Sequence, residues 1–387
     1  MVRGLASRYS SCNLVSDQLP FPRLETRSDL PSGKFALTYT VKNESRLLPQ
    51  AIEYHLAGGC SRIYLFWDNT TDDAPELIAH YPQVVARKSF KPDELRDPPS
   101  WLAQILPAWD IELDVRKIAN TYYAAQQAAK DGLEWLICID ADELILMSTG
   151  EQQLENHIPR YLERIPEDID QLLLPNLESV PTAAETDNPF VDCVYFLNRF
   201  PATETVWRYS RAALVRISRS PKLIAWYDWL FYELRFAGAL HRMMREPGTQ
   251  RRIPGTFFLG YSSYKSFMRT ARIADFEFAT HGWKPFRRRP RSLRTGNVLH
   301  FDMLDAAYFA AKFRQRPAPR DIFYLRYLLG NLARERSPEE IREFFATYIA
   351  IRDPKRIARL KQKGIVAEIR TPANLLRKLL KQSSVEA

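Results

Sequence analysis

With 387 residues, 45% of them hydrophobic and 12% aromatic, the chain can bury a substantial core, which argues against global disorder and for one large domain or two ordinary ones. A net charge of +9, from 55 basic and 46 acidic residues, suits an anionic ligand, an anionic membrane surface or a nucleic acid without choosing among them; a merely basic solvated surface would look the same. No apolar run approaches the ~18–20 residues of a membrane span, and the first thirty residues, with Pro20, Pro22 and scattered charges, hold no apolar core of a secretory leader.

Residues 1–33 read as an arm of mixed polarity without a sustained period. From Phe35 the pattern becomes regular. Phe35 to Val41 is a predicted strand, Lys42-Asn43-Glu44-Ser45 a turn, and Leu47, Leu48, Ala51, Ile52 and His55 recur at helical spacing up to Gly58-Gly59. Arg62 to Trp67 is the next strand and ends in Asp68-Asn69-Thr70-Thr71-Asp72-Asp73. A short helix near Pro75 to His80 leads to a third strand, Val84 to Lys88. This alternation predicts right-handed βαβ units and a parallel sheet, hence the α/β class. Residues 90–112, with four prolines, Trp101 and Trp109, read as an inserted loop over the sheet edge. A helix over about Val115 to Lys130 precedes Trp135-Leu-Ile-Cys-Ile139, an apolar run that reads as a buried strand. Beyond it the pattern predicts a helix over 151–165, strands at Leu172–Leu174 and Val191–Phe196, and a basic helical segment after Ser337. Cys12, Cys60, Cys138 and Cys193 lie far apart without metal-ligand pairing, as reduced thiols of a cytosolic protein would.

The apolar run at Trp135 passes straight into Asp140-Ala141-Asp142-Glu143. Burying unpaired carboxylates is costly, so the chain must leave the sheet there. The carboxyl ends of strands are where ligands bind in an open α/β sheet. Clustered hard oxygen ligands suit Mg²⁺ or Mn²⁺, and such an ion neutralises a diphosphate. Two further strand ends carry polar clusters, Asn43-Glu44 and Asp68-Asn69. Parallel strands would bring all three to one side of the sheet. Ser45 and Asp72 also suit helix caps, and acids favour helix N-termini, but three clusters at successive strand ends exceed what capping explains.

Val41-Lys-Asn-Glu-Ser-Arg-Leu-Leu48, Tyr54-His55 with Gly58, Asp68-Asn69 with Asp72, and Trp135 to Glu143 together resemble the opening of family 2 and family 92 type nucleotide-sugar glycosyltransferases. The resemblance runs from about residue 36 to 147, with a weaker echo at residues 262–313. It implies a GT-A fold, a Rossmann-like, mainly parallel sheet carrying an Asp-x-Asp metal motif, here over residues 34–315. The nucleotide-binding half would be 34–147 and the acceptor half 148–315, followed by a basic helical extension over 316–387. By this resemblance Asp68 contacts the nucleoside, Asp140 lies near the ribose and is one ligand of the ion, Asp142 binds the metal directly, and Asn43 and Glu44 line the nucleotide pocket. Glu143 follows the motif, either as a helix cap or as an acid behind the ligands. The cofactor is Mn²⁺ or Mg²⁺, and the donor a nucleotide diphosphate sugar, with UDP-sugar foremost.

His300, in Asn297-Val-Leu-His-Phe-Asp302 before Tyr308 and Lys312, resembles the late histidine segment of this group, which completes the metal site or meets the diphosphate. Tyr264-Lys-Ser-Phe-Met-Arg269 followed by His281-Gly282 echoes a second segment, in which Lys265 and Arg269 would clamp phosphates. Which of His281 and His300 meets the metal stays open. Six basic residues between Lys284 and Arg294 suit an exposed loop that closes over the diphosphate or faces anionic lipid. Leu375, Leu376, Leu379 and Leu380, interleaved with Arg377, Lys378 and Lys381, suit either a membrane-surface helix or packing onto the domain. The resemblance favours inversion, which needs a carboxylate base. Asp228 in Trp226-Tyr-Asp-Trp229, Asp187 and Glu185 are the candidates. The acceptor would be a glycan or a lipid-linked sugar. The alternatives are a nucleotidyltransferase, disfavoured because the first turn lacks a Gly-rich phosphate loop, and a non-catalytic basic membrane- or nucleic-acid-binding protein, for which no nucleic-acid motif is present.

Overall fold

The computed structural model describes residues 33–95, 97–147, 157–198, 201–218, 220, 223–224, 226–227, 230, 242–245, 252–255, 264–315 and 324–386. The predicted βαβ alternation is present. β1 (Phe35–Val41), α1 (Leu48–Ala57), β2 (Arg62–Trp67), α2 (Ala74–Ile78), β3 (Val84–Lys88), α3 (Ser100–Ile105), α4 (Leu113–Lys130) and β4 (Trp135–Cys138) follow one another. The four strands lie parallel in the order β3-β2-β1-β4. β1 is buried along its whole length because both faces of its pleat are covered. Leu37 and Tyr39 join Leu48 and Ile52 of α1 on one face. Ala36 joins Ala119, Ala125 and Ala128 of α4 on the other.

The remaining strands make the sheet mixed, though mainly parallel. β5 (Glu143–Leu146), β6 (Gln171–Glu178), β10 (Tyr264–Arg269), β13 (Ser292–Arg294) and β14 (Asn297–His300) complete it. β10 inserts antiparallel between β4 and β6, and β14 runs parallel to β6 but antiparallel to β5. Smaller pairs lie outside the sheet: β7 (Tyr195–Leu197) with β15 (Val366–Glu368), β8 (Arg242–Arg245) with β9 (Arg252–Gly255), and β11 (Phe276–Ala279) with β12 (Gly282–Pro285). One sheet therefore runs through residues read as two halves.

Several expectations change. Residues 90–112 are not an open loop. A 3-10 turn at Pro92–Glu94, α3 and a second 3-10 turn at Leu106–Ala108 bury Trp101 and Leu102 against α4. The prolines sit in or just before first turns, where a missing N–H costs nothing. Of the helix expected over 151–165, the described part is α5 (Ile158–Leu162). The strand expected at Val191 starts only at Tyr195, because α6 (Pro189–Asp192) intervenes; the Asn188 side chain accepts from the Val191 N–H and caps it. After the long α7 (Pro201–Ile217), helices α8 (Ala306–Gln315), α9 (Tyr324–Glu335) and α10 (Pro338–Phe344) enclose a separate core around Phe309, Phe313 and Phe345. α11 (Pro354–Gln362) and α12 (Thr371–Glu386) close the chain. Leu376 of α12 is fully buried beside Leu47, Tyr54 and Phe190, and Leu375 and Leu379 pack on that cluster. The leucine face offered as a membrane surface thus covers α1 and α6, and of its four leucines Leu380 is the exposed one. Among the described residues no helix is long and apolar enough to cross a membrane, and Cys60, Cys138 and Cys193 are free and buried.

His55 belongs to the core rather than to the ligand site. Its Nδ1–H donates to the Ala51 carbonyl (2.6 Å), and Nε2 accepts from the Ile145 N–H (3.2 Å), which fixes the neutral tautomer. Burial lowers its pKa from 6.5 to about 4. The unfolded chain therefore takes up this proton first as pH falls. The stability held by His55 is complete above pH ~6.5 and is lost towards pH 4, by up to ~3 kcal/mol. Urea denaturation between pH 7 and 4 should give a flatter stability profile for His55→Gln than for the natural chain; parallel profiles would refute this.

Candidate functional site

The turns after β1 and β2 are stapled to each other. Asn43 and Asn69 both adopt positive φ (55° and 59°), which asparagine tolerates better than most residues. Asn43 Oδ1 accepts from the Thr71 N–H (2.7 Å), and the Ser45 N–H donates to Asp72 Oδ2 (2.8 Å). Ser45 is therefore not a cap, and α1 begins without a side-chain cap at Leu47. Asp72 both staples the turns and accepts from the Ala74 N–H (3.3 Å) at the start of α2.

Asp68, buried at the end of β2, takes a two-pronged ion pair from Arg116 of α4 (2.7 and 3.0 Å). α4 is held in place by Asn120, whose amide donates to Thr40 (3.0 Å) and Ser89 (3.1 Å) and whose oxygen accepts from the Phe90 N–H (3.0 Å). This network is fully buried, so it fixes where neighbouring residues of α4 point. Lys117, one residue after Arg116, reaches Asp140.

Asp140 follows β4, and Asp142 ends the turn before β5. Strand pairing then brings in the distant half of the chain. β14 pairs with β5 so that His300 lies opposite Glu143, and the Phe301 N–H donates to the Asp142 carbonyl (2.8 Å), extending the ladder. Asp142, His300 and Asp302 consequently offer ligand atoms within 4.8 Å of one another, all three residues buried, as the one such group among the described residues. Two carboxylates and an imidazole fit Mn²⁺ or Mg²⁺ in donor chemistry. His300, not the exposed His281, belongs to this group.

Asp140 stands apart from that group. Lys117 and Lys265 (3.0 Å) both bind its carboxylate. Lys265 also binds Glu143 (2.9 Å), whose carboxylate accepts from the Asp140 N–H (2.9 Å), so Glu143 caps the turn and anchors a lysine. Lys312 and Tyr308 of α8 both donate to Asp142, and Lys312 also pairs with Asp302. These contacts order the electrostatics. Burial by itself would raise the pKa of Asp140, but Lys117 and Lys265 outweigh it and hold the carboxyl well below its usual range. Burial is likewise outweighed at Asp142 by Lys312 and His300. Glu44, half-buried after β1, is pushed up to about 8 by burial and the Asp142 charge, with Lys312 opposing them.

Sequence reasoning missed Asp302, Lys117 and Lys312 as site residues. Asp302 had a legible signal, since His300-Phe-Asp302 repeats the acid-x-acid spacing at a strand end. Lys312 had a partial one, as the lysine that closes the late histidine segment; Lys117 had none, because helix position says nothing of which acid a long side chain will meet.

Arg269 is not brought to the site. On antiparallel β10 it pairs with Trp135, at the opposite end of β4 from Asp140. There its guanidinium bonds Glu134 and the Ile169 (2.7 Å) and Pro166 (3.0 Å) carbonyls, and stacks 4.1 Å from the Trp135 ring. The basic run at Lys284–Arg294 is tied at that same far end. Arg288 binds Asp170 (2.7 and 2.6 Å), the residue before β6, and Arg291 binds Asp168 (2.7 Å). It is therefore not placed to close over the acids. Asp228 lies outside the described residues. Glu185, paired with Arg342 (3.2 Å), and exposed Asp187 line a cavity of about 370 Å³ with Thr182, Asp192 and Leu304.

No family model matches the chain. Two glycosyltransferase-like proteins of Arabidopsis thaliana are similar to it. The first is 24% identical over 379 residues, 92% of this chain and 65% of that protein. The second is 22% identical over 406 residues, 97% of this chain and 80% of that protein. The chain thus spans a little under two thirds of the first relative's length. Glucosyl-3-phosphoglycerate synthase from Mycobacterium tuberculosis, solved with Mn²⁺, UDP and phosphoglyceric acid, aligns over 78% of each chain at 13% identity and a TM-score of 0.30. Its complex with Mg²⁺ and UDP aligns over 69% of this chain at a TM-score of 0.28. By sequence, this chain is a relative of glycosyltransferase-like proteins.

Proposed function

We propose that this chain is a metal-dependent glycosyltransferase of GT-A type. It would move a hexosyl group from a nucleotide diphosphate sugar, with UDP-sugar as the expected donor, to the hydroxyl of a glycan or lipid-linked acceptor, with inversion. The observation that carries this reading is the convergence, at the carboxyl end of one sheet, of Asp142, His300 and Asp302 with three lysines from separate elements. The sequence relatives point to the same class.

Asp142, His300 and Asp302 would hold the ion, which when bound neutralises charge on the leaving diphosphate. The rest of the work falls to side chains already placed. Asp140, with Lys117 and Lys265, forms a charged wall whose ammonium groups favour phosphate over a neutral ligand. Asp68 and Arg116 offer one acceptor and one donor set at the nucleoside end. Asn43 and Glu44 form the floor between these walls, and the Asn43–Thr71 staple keeps it rigid. The acceptor proton needs a carboxylate. Glu185 and Asp187, which line one cavity with Leu304, are the candidates among the described residues, and Asp228 is the third.

Calorimetric titration with UDP and GDP, with and without Mn²⁺, tests this reading. UDP binding that requires Mn²⁺ is expected. Absence of nucleotide binding under every condition would overturn it and leave the basic surface as the better guide.

A further inference from the structure

Tyr308 and Lys312 stand one turn apart on α8, so their side chains share a face. Both end at Asp142 Oδ2, the Tyr308 hydroxyl at 3.2 Å. The Lys312 ammonium simultaneously ion-pairs with Asp302. One monovalent cation therefore already bridges the two carboxylates of the Asp142–His300–Asp302 group. The lysine stem is only 16% exposed, and its Nζ lies 5.4 Å from the centre of the Tyr308 ring, so the bridge is held on a supported arm. Among the described lysines, Lys117 and Lys265 serve Asp140, and Lys312 pairs with the candidate ligands Asp142 and Asp302.

We propose that Lys312 is an exchangeable counter-cation that couples metal binding to nucleotide binding. With the site free of metal, its ammonium keeps two buried carboxylates from repelling each other. Entry of a divalent ion requires Lys312 to give up two charge-assisted bonds, which lowers the affinity for the ion alone. A diphosphate offers the released ammonium a new anionic partner. Metal and nucleotide then each strengthen the binding of the other, through one side chain. The proposal rests on the metal-dependent reading above.

The test is calorimetric titration of Mn²⁺ into the natural protein, Lys312→Met and Lys312→Arg, each with and without UDP, with circular dichroism confirming the fold. Lys312→Met should bind Mn²⁺ alone at least ~10-fold more tightly, and the mutual strengthening by UDP should shrink at least ~5-fold. Lys312→Arg should stay near the natural protein. Equal or weaker Mn²⁺ binding by Lys312→Met would overturn the exchange while leaving the metal site standing. Absence of Mn²⁺ binding in all three proteins, with and without UDP, would remove the metal reading and this one with it. A second readout needs no variant. Reductive methylation of Lys312, mapped by mass spectrometry, should speed up when Mn²⁺ is added and slow again with UDP present; a rate indifferent to Mn²⁺ would refute the exchange.

Discussion

Replacing Asp142 by Asn is expected to abolish Mn²⁺-dependent nucleotide binding and to reduce sugar transfer by ~10²–10³-fold, while the protein stays folded. Asp142 is the hub of the candidate site. It accepts from Tyr308 and Lys312 and lies 3.7 Å from His300 Nε2. The Asn oxygen can still accept from Tyr308, and Lys312 keeps Asp302, so the local packing survives. What disappears is one formal charge from a three-residue donor set, and with it the hold on a hard divalent cation. Burial lowers the pKa of His300, but the neighbouring Asp142 carboxylate outweighs it and raises the imidazole above its ordinary value. Losing that partner leaves burial less opposed and moves the imidazole towards its neutral form. Titration calorimetry with Mn²⁺ and UDP measures the first effect, and a radiolabelled transfer assay the second. Unimpaired Mn²⁺-dependent binding in Asp142→Asn would rule out the proposed ligand set.

The second large effect is on stability. Arg269→Met should destabilise the fold by ~2–4 kcal/mol, because it leaves the half-buried Glu134 carboxylate without this cation and two backbone carbonyls without their donor. The side chains of the pair are only 8% and 18% exposed, and Arg269 also satisfies the Ile169 and Pro166 carbonyls. These bonds fasten β10 to the loop before β6 and to the start of β4. Urea denaturation should show the loss, whereas UDP binding by the folded fraction should be unchanged. Weakened UDP binding with stability intact would instead return Arg269 to the role of phosphate clamp that its sequence context suggests.

Lys265 and Arg269 illustrate how far sequence reading reaches. They share one segment and one expected task, yet they meet different partners, and the antiparallel run of β10 beside β4 decides which end of β4 each one reaches. Four residues of strand separate them by ~13 Å, which puts Lys265 at Asp140 and Arg269 at Trp135. Nothing local announces that reversal, since a parallel neighbour would carry the same alternation of apolar residues. The leucines of α12 make the same point. Their spacing is legible, but which surface they cover depends on α1 and α6.

By itself the sequence determined the strands β1 to β4, the helices α1 and α4 and the acids at the strand ends. These follow from short-range causes: the period of apolar residues, and the cost of burying unpaired carboxylates. The tertiary structure alone decided which acids and cations share a site. It set Asp140 with Lys117 and Lys265, gave Asp142 Lys312, and through the pairing of β5 with β14 brought Asp302 in beside the His300 already expected from the sequence. The reason is physical: charges select partners through space, and Asp142 stands 166 positions along the chain from the Tyr308 that binds it.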